Sequence, residues 1–83
     1  MSHWNNRVVR TTHVSPNPDV SPCVEFAIHE VYYNDDGNIC AITENPKSAT
    51  GESVEELKET LQRMLSACDK DILINEELVY SEW

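Results

Sequence analysis

The chain has few of the residues from which nucleotide sites, disulfide frameworks and membrane spans are built. Its 83 residues include two glycines, Gly37 and Gly51, and three cysteines, Cys23, Cys40 and Cys68. Phosphate-binding loops need clustered glycines, so the usual nucleotide sites are not expected. An odd number of cysteines without C-x-x-C spacing argues against a disulfide framework, and no apolar run is long enough for a signal peptide or a bilayer span. We therefore expect a cytoplasmic protein whose reduced cysteines are small buried apolar residues.

Basic residues are also scarce. Six Lys and Arg stand against 15 Asp and Glu, so the formal net charge is −9, and residues 24–83 carry 4 of the basic and 14 of the acidic side chains. Such a surface repels phosphate groups, so direct binding to nucleic acid or to an anionic membrane is not expected. The sequence favours a basic protein as partner, with solubility alone as the other explanation for the acidity.

A chain of 83 residues forms one domain with a thin hydrophobic core. Dimerisation through an exposed strand or through the outer face of a helix would hide more apolar surface. A homodimer is therefore a further expectation.

The clearest local pattern predicts an amphipathic helix over residues 53–69. Ser53 is the expected N-cap, and Glu56 stands where its carboxylate completes a capping box. The apolar residues follow at steps of three and four, which places them on one stripe: Val54, Leu57, Leu61, Met64, Leu65 and Cys68. We expect Leu57, Leu61 and Leu65 to hold this helix to a β-hairpin.

The hairpin is predicted over residues 23–44, because two β-branched and aromatic runs flank the turn sequence Asn34-Asp35-Asp36-Gly37-Asn38. A further strand is predicted over residues 4–14, after a frayed Met1 and Ser2. Residues 15–22 hold three of the four prolines and are expected to form a loop.

The C-terminal segment, residues 71–83, leaves alternatives open. A short strand is predicted near its start, and the remainder forms either a further helical turn or an ordered tail that docks on the domain or on a partner. Together these elements predict an α+β fold, in which a small antiparallel sheet of the N-terminal strand, the hairpin and a short extra strand packs on one amphipathic helix.

No set of residues points to catalysis, a metal or a cofactor. Ser, Cys and His are scattered without a nucleophile elbow, and the spacing of the histidines and cysteines does not match a metal site. Asp35 and Asp36 lack the alternating oxygen ligands of a calcium loop, so they are interpreted as turn residues. We predict a protein that is not an enzyme; a metal-dependent nuclease remnant that uses Glu30, Asp35 and Asp36 is the enzymatic alternative.

The order of several features is informative as a whole: an apolar strand to Tyr33, the acidic turn Asp35-Asp36-Gly37, a return strand through Ile42, Pro46 and the helix opening Gly51-Glu52-Ser53-Val54-Glu55-Glu56-Leu57. In this order, residues 24–68 resemble the HicB-like antitoxin domain. The resemblance implies a reduced RNase H-like fold, without nuclease activity and usually dimeric, that neutralises a small basic RNA-cleaving toxin. The sequence lacks the family's Pro-Gly-Cys after the return strand and its C-terminal DNA-binding segment.

The expected function is that of an acidic protein-interaction module. Its candidate partner-binding residues are Tyr32 and Tyr33 on the hairpin and Glu55, Glu59 and Gln62 on the outer helix face, since aromatic side chains carry much interface energy and the carboxylates complement a basic surface. The alternative is an acidic mimic of nucleic acid that blocks a DNA- or RNA-binding protein.

Overall fold

A computed structural model describes residues 3–83, which form a four-stranded sheet with one helix packed against it. The elements, in chain order, are β1 (His3–His13), β2 (Cys23–Tyr33), β3 (Ile39–Ile42), α1 (Val54–Ala67), β4 (Leu73–Ile74) and a 3₁₀ turn (Asn75–Glu77). The predicted α+β fold with a small sheet and one helix is confirmed. The prediction for Met1 and Ser2 lies outside the described residues.

The strands lie in the order β3-β2-β1-β4. β1 and β2 pair antiparallel over their full length, with His3 opposite Tyr33 and His13 opposite Cys23, and β2 pairs antiparallel with β3. β4 joins the other side of β1 in parallel, with Val9 opposite Leu73. The sheet is therefore mixed, and the prediction that it is antiparallel throughout is wrong for β4. The physical reason is the crossover: the chain passes through α1 before it enters β4, so β4 runs parallel to β1.

The turn between β2 and β3 forms as its sequence predicts. Gly37 has φ of 83°, the left-handed conformation that glycine adopts without steric cost. The side-chain oxygen of Asn34 accepts hydrogen bonds from the backbone amides of Asp36 and Asn38, each at 3.0 Å. Local residue chemistry is thus sufficient to reverse the chain here.

The helix begins where the sequence predicts, with one difference in its cap. The Ser53 hydroxyl accepts a hydrogen bond from the Glu56 amide at 3.1 Å, as an N-cap should. The Glu56 carboxylate accepts from the amide of Glu52 at 2.8 Å, one residue before the N-cap, rather than from that of Ser53. Both bonds still satisfy amide donors at the start of the helix.

Alternate residues of β1 and β2 face opposite sides of the sheet. α1 covers the face that carries Val8 and Ile28, where a shallow depression also includes Cys68. On the opposite face Val9 and Val31 are completely buried. Residues of the C-terminal segment approach this second face, since the backbone carbonyl of Asp71 accepts a hydrogen bond from Arg7 at 2.6 Å.

The inner side of α1 is different from the predicted one. Four residues at helical spacing are buried or half-buried: Leu57, Thr60, Met64 and Ala67. Leu61 and Leu65 are 48% and 70% exposed, so the prediction that they hold the helix to the hairpin is wrong. The apolar stripe spans two adjacent sides of the helix, and the narrow sheet covers only one of them. α1 also packs chiefly on β1 rather than on the hairpin.

The C-terminal segment combines the alternatives that the sequence left open. After β4, a single 3₁₀ turn is followed by an extended tail. The tail reaches β3, where the amide of Ser81 donates to the carbonyl of Ile39 at 2.8 Å and the Asn34 side chain donates to the carbonyl of Glu82 at 2.9 Å. The tail therefore lies along the outer edge of the hairpin.

The cysteines are not the buried residues that the sequence predicts. Cys23 and Cys68 are exposed and Cys40 is half-buried, all three as free thiols. Cys23 begins β2, and Cys68 follows the last residue of α1, so both lie at the ends of elements, where the thin core does not reach.

Candidate interaction surface

The two candidate tyrosines lie on opposite faces of β2, because adjacent strand residues alternate. The Tyr33 hydroxyl donates to Asn5 Oδ1 at 2.8 Å and accepts from Arg7 at 3.2 Å. These two hydrogen bonds join β2 to β1 on the face of the sheet away from α1.

Tyr32 belongs to a small ionic cluster on the α1 side. Its hydroxyl donates to a Glu30 carboxylate oxygen at 2.5 Å, and Glu30, 17% exposed, also forms an ion pair with Lys47 at 3.2 Å. The Tyr32 hydrogen bond and the nearby Lys47 lower the pKa of Glu30 against the opposing effect of burial. The same hydrogen bond raises the pKa of Tyr32, because it stabilises the carboxylate and the neutral phenol together.

Replacing Tyr32 with Phe is expected to raise the pKa of Glu30 toward its ordinary value. A lowered folded-state pKa contributes stability that is present above the unfolded pKa and is lost as pH falls through the folded one. The Tyr32→Phe protein should thus be less stable than wild type at neutral pH, with a difference that disappears in acid. A carboxyl NMR titration of Glu30 checks the pKa, and chemical unfolding at several pH values checks the stability.

Tyr80→Phe is the matched control for that substitution. Tyr80 is 47% exposed, and no hydrogen bond involves its hydroxyl among the described residues. Its replacement should leave the Glu30 titration unchanged. Identical Glu30 pKa values in wild type and Tyr32→Phe would contradict the assigned hydrogen bond.

The candidate helix residues form an exposed stripe. Glu55, Glu59 and Gln62 follow at steps of four and three, on the side of α1 opposite its inner residues. All three are exposed, and neither carboxylate has an ion-pair partner within the described part of the chain. This stripe, the acidic helix face, is free to meet an external partner.

The structure does not bring all five candidate residues together. Tyr33 lies across the sheet from the acidic helix face. Tyr32 shares the sheet face of α1 but lies at the end of β2, with its ring centroid 6.4 Å from that of Trp83. The helix residues are thus one surface, and the tyrosines belong to two others.

A second exposed surface was missed by sequence reasoning. A shallow pocket of about 480 Å³ is lined by Arg10, Val24, Phe26, Ile72 and Ile74. Phe26 also lines the neighbouring depression with Val8, Ala27, Ile28 and Cys68. We call the apolar residues of these two depressions, together with Leu61 and Leu65 on the helix stripe that ends at Cys68, the edge patch. The sequence contained a signal for this surface, because α1 and both faces of β2 carry more apolar residues than one thin core can cover.

A groove between β1 and α1 is the other concave feature. Trp4, Asn6 and Arg63 line both of its adjoining depressions, with Lys47 at one end and Lys70 at the other. The side-chain oxygen of Asn6 is buried there without a hydrogen-bond partner. The groove gathers three of the chain's six basic side chains, but Glu30 neutralises Lys47.

Within residues 3–83, no group of three or more His, Cys, Asp and Glu side chains is arranged to hold a metal ion. No helix in this part of the chain is long and apolar enough to cross a membrane. In comparisons with known proteins, no family model, curated protein or solved structure matches the chain.

Proposed function

We propose that this chain is a non-enzymatic protein-interaction module that binds a basic protein through the acidic helix face. The observation that carries the proposal is the exposure of Glu55 and Glu59 on one side of α1. Within the described residues, neither carboxylate forms an ion pair. Exposed carboxylates on a rigid helix attract a basic surface and accelerate its association.

The overall charge supports the same kind of partner. A formal net charge of −9 repels nucleic acid and anionic lipid, and it attracts cationic proteins over about one Debye length, roughly 8 Å at physiological salt. The resemblance of residues 24–68 to HicB-like antitoxins supports a small basic RNA-cleaving protein as that partner. In the alternative function, mimicry of nucleic acid, the partner is a DNA- or RNA-binding protein.

The test is a pull-down of the tagged chain from its own cells at low and at high salt. A basic protein should co-purify at low salt and be released at high salt, because its contacts are between exposed charges. Glu55→Lys/Glu59→Lys should weaken its binding by about tenfold or more, since charge reversal replaces attraction with repulsion.

Glu44→Lys/Glu77→Lys is the matched control, because it changes the net charge equally at two exposed residues outside α1. This protein should bind within about threefold of wild type. Equal losses in the two double variants would show that total charge, and not the helix face, determines binding. Displacement of the partner by added nucleic acid would identify the mimic, whereas the absence of any salt-sensitive basic partner would overturn the proposal.

A further inference from the structure

We propose that two copies of this chain pair through the free edge of β2, forming one continuous antiparallel sheet across a two-fold axis. This self-association uses the edge patch rather than the acidic helix face. The dimer can therefore form whether or not the chain binds a basic protein.

The backbone of β2 has hydrogen-bonding groups at this edge that can pair with another strand. The carbonyls of Ile28 and Glu30 point away from β1, since they accept hydrogen bonds from Lys47 at 2.8 Å and Thr43 at 3.0 Å. Backbone groups alternate along a strand, so those of Val24 and Phe26 point the same way. β3 pairs only with Val31–Tyr33, and no other described strand extends this edge. Val24 and Phe26 thus present unpaired N–H and C=O groups to a new strand.

The side chains along this edge need to be covered. Val24 and Phe26 are 46% and 58% exposed, and Ile72 beside them is 52% exposed. The lining of their shared pocket includes Arg10 but no carboxylate. Glu25 points to the opposite face, where it lies 3.6 Å from His13. Two acidic chains can therefore meet here without opposing carboxylates on the α1 side.

The exposed area is large enough for pairing with a second copy. The chain exposes 6177 Å², whereas a compact monomer of 9.5 kDa exposes about 5,000 Å². The surplus of about 1,100 Å² is comparable with the ~800 Å² that each partner contributes to a standard stable interface. An antiparallel edge is also self-complementary, because a two-fold axis matches the donors of each copy with the acceptors of the other.

The same two-fold axis places the two copies of α1 where their exposed apolar stripes face the interface. Extending the sheet keeps both copies of α1 on one side, and Cys68 at the end of the exposed apolar stripe lines the same depression as Phe26. Leu61 and Leu65 continue that stripe and so approach the axis. Glu55 and Glu59 lie on the far side of each helix, so the dimer leaves both acidic helix faces open.

Val24→Pro tests the backbone pairing. Proline is tolerated on an edge strand where the N–H faces solvent, but it removes the donor that the second copy needs. In sedimentation equilibrium we expect wild type at twice the 9.5 kDa of one chain and the variant to dissociate at least about tenfold more readily. Val24→Thr keeps the β-branched shape and the N–H, so it should dimerise within about threefold of wild type. Circular dichroism confirms that each variant is folded.

Phe26→Lys tests the side-chain contacts. A lysine at this exposed site can extend into solvent in the single chain, but it introduces a charge between two paired edges, so the dimer should again weaken by about tenfold or more. Val79→Lys is the control, because Val79 is 85% exposed and outside the edge patch. It should leave the dimer intact.

The dependence on salt concentration distinguishes this dimer from the complex with a basic partner. Added salt screens the repulsion between two acidic chains, so it should tighten the dimer or leave it unchanged, whereas it weakens the basic-partner complex. Wild type that sediments as a single chain up to about 0.5 mM would overturn the proposal. A dimer that both Val24→Pro and Phe26→Lys leave as tight as wild type would also overturn it, because its interface would lie elsewhere.

Discussion

Val9→Asp is expected to leave the chain unfolded at room temperature. Val9 is completely buried on the face opposite α1, where it lies between β2 and β4. An unpaired carboxylate at such a site costs several kcal/mol or shifts its pKa strongly. A domain of 83 residues has only about 4–12 kcal/mol of total stability. Circular dichroism and amide NMR dispersion should both show the loss of the fold.

Val79→Asp is the control for that substitution. It introduces the same carboxylate at a valine that is 85% exposed, so its unfolding midpoint in urea should remain within about 0.5 kcal/mol of wild type. A folded Val9→Asp protein with a midpoint near that of wild type would show that this face of the sheet is open to water, contrary to the observed burial.

The elements that sequence predicted well are those whose causes are local. Ser53 starts the helix through a bond to an amide three residues away, and Gly37 permits the hairpin turn through its own backbone conformation. The predicted limits of the strands were within a residue for β1 and the start of β2. Pro16 follows the end of β1, and Pro22 directly precedes the start of β2. Proline favours such limits because it has no amide donor for the strand ladder.

The inner side of α1 could not be predicted, because it depends on the width of a sheet formed by distant residues. Six apolar residues at helical spacing fit one broad stripe. Only the docked position of the helix shows that Thr60 and Ala67 face inward, while Leu61 and Leu65 remain exposed. The parallel pairing of β4 is likewise a long-range property, since it joins residues more than sixty positions apart.

The candidate site also combines features that local sequence predicts with features that depend on long-range pairing. Exposure of Glu55 and Glu59 follows from the helical period alone, whereas the bonds of Tyr33 to Asn5 and Arg7 depend on the pairing of β1 with β2. The free edge of β2 had a signal in the sequence. Pro46 limits the return strand, so an 11-residue β2 is left with a four-residue partner in β3.

Gly51→Asn is expected to destabilise the start of the helix because of a backbone clash. A Cβ atom at residue 51 would lie 2.7 Å from the amide nitrogen of Leu57 and 3.0 Å from the carbonyl carbon of Glu56. Both belong to the first turns of α1, which cannot move without disturbing the capping bonds at Ser53 and Glu52. We expect a loss of about 1–3 kcal/mol in the free energy of unfolding, as for overpacking elsewhere.

Gly37→Asn is the control, because it replaces the other glycine with the same residue at a site where no such clash occurs. A Cβ atom there would meet nothing within 4 Å, and asparagine tolerates the left-handed conformation with φ of 83°. Its expected cost is below about 1 kcal/mol, so urea unfolding should place Gly51→Asn clearly below Gly37→Asn in stability. The opposite order would show that backbone conformation at the hairpin turn, and not the close approach at the helix start, makes glycine necessary in this chain.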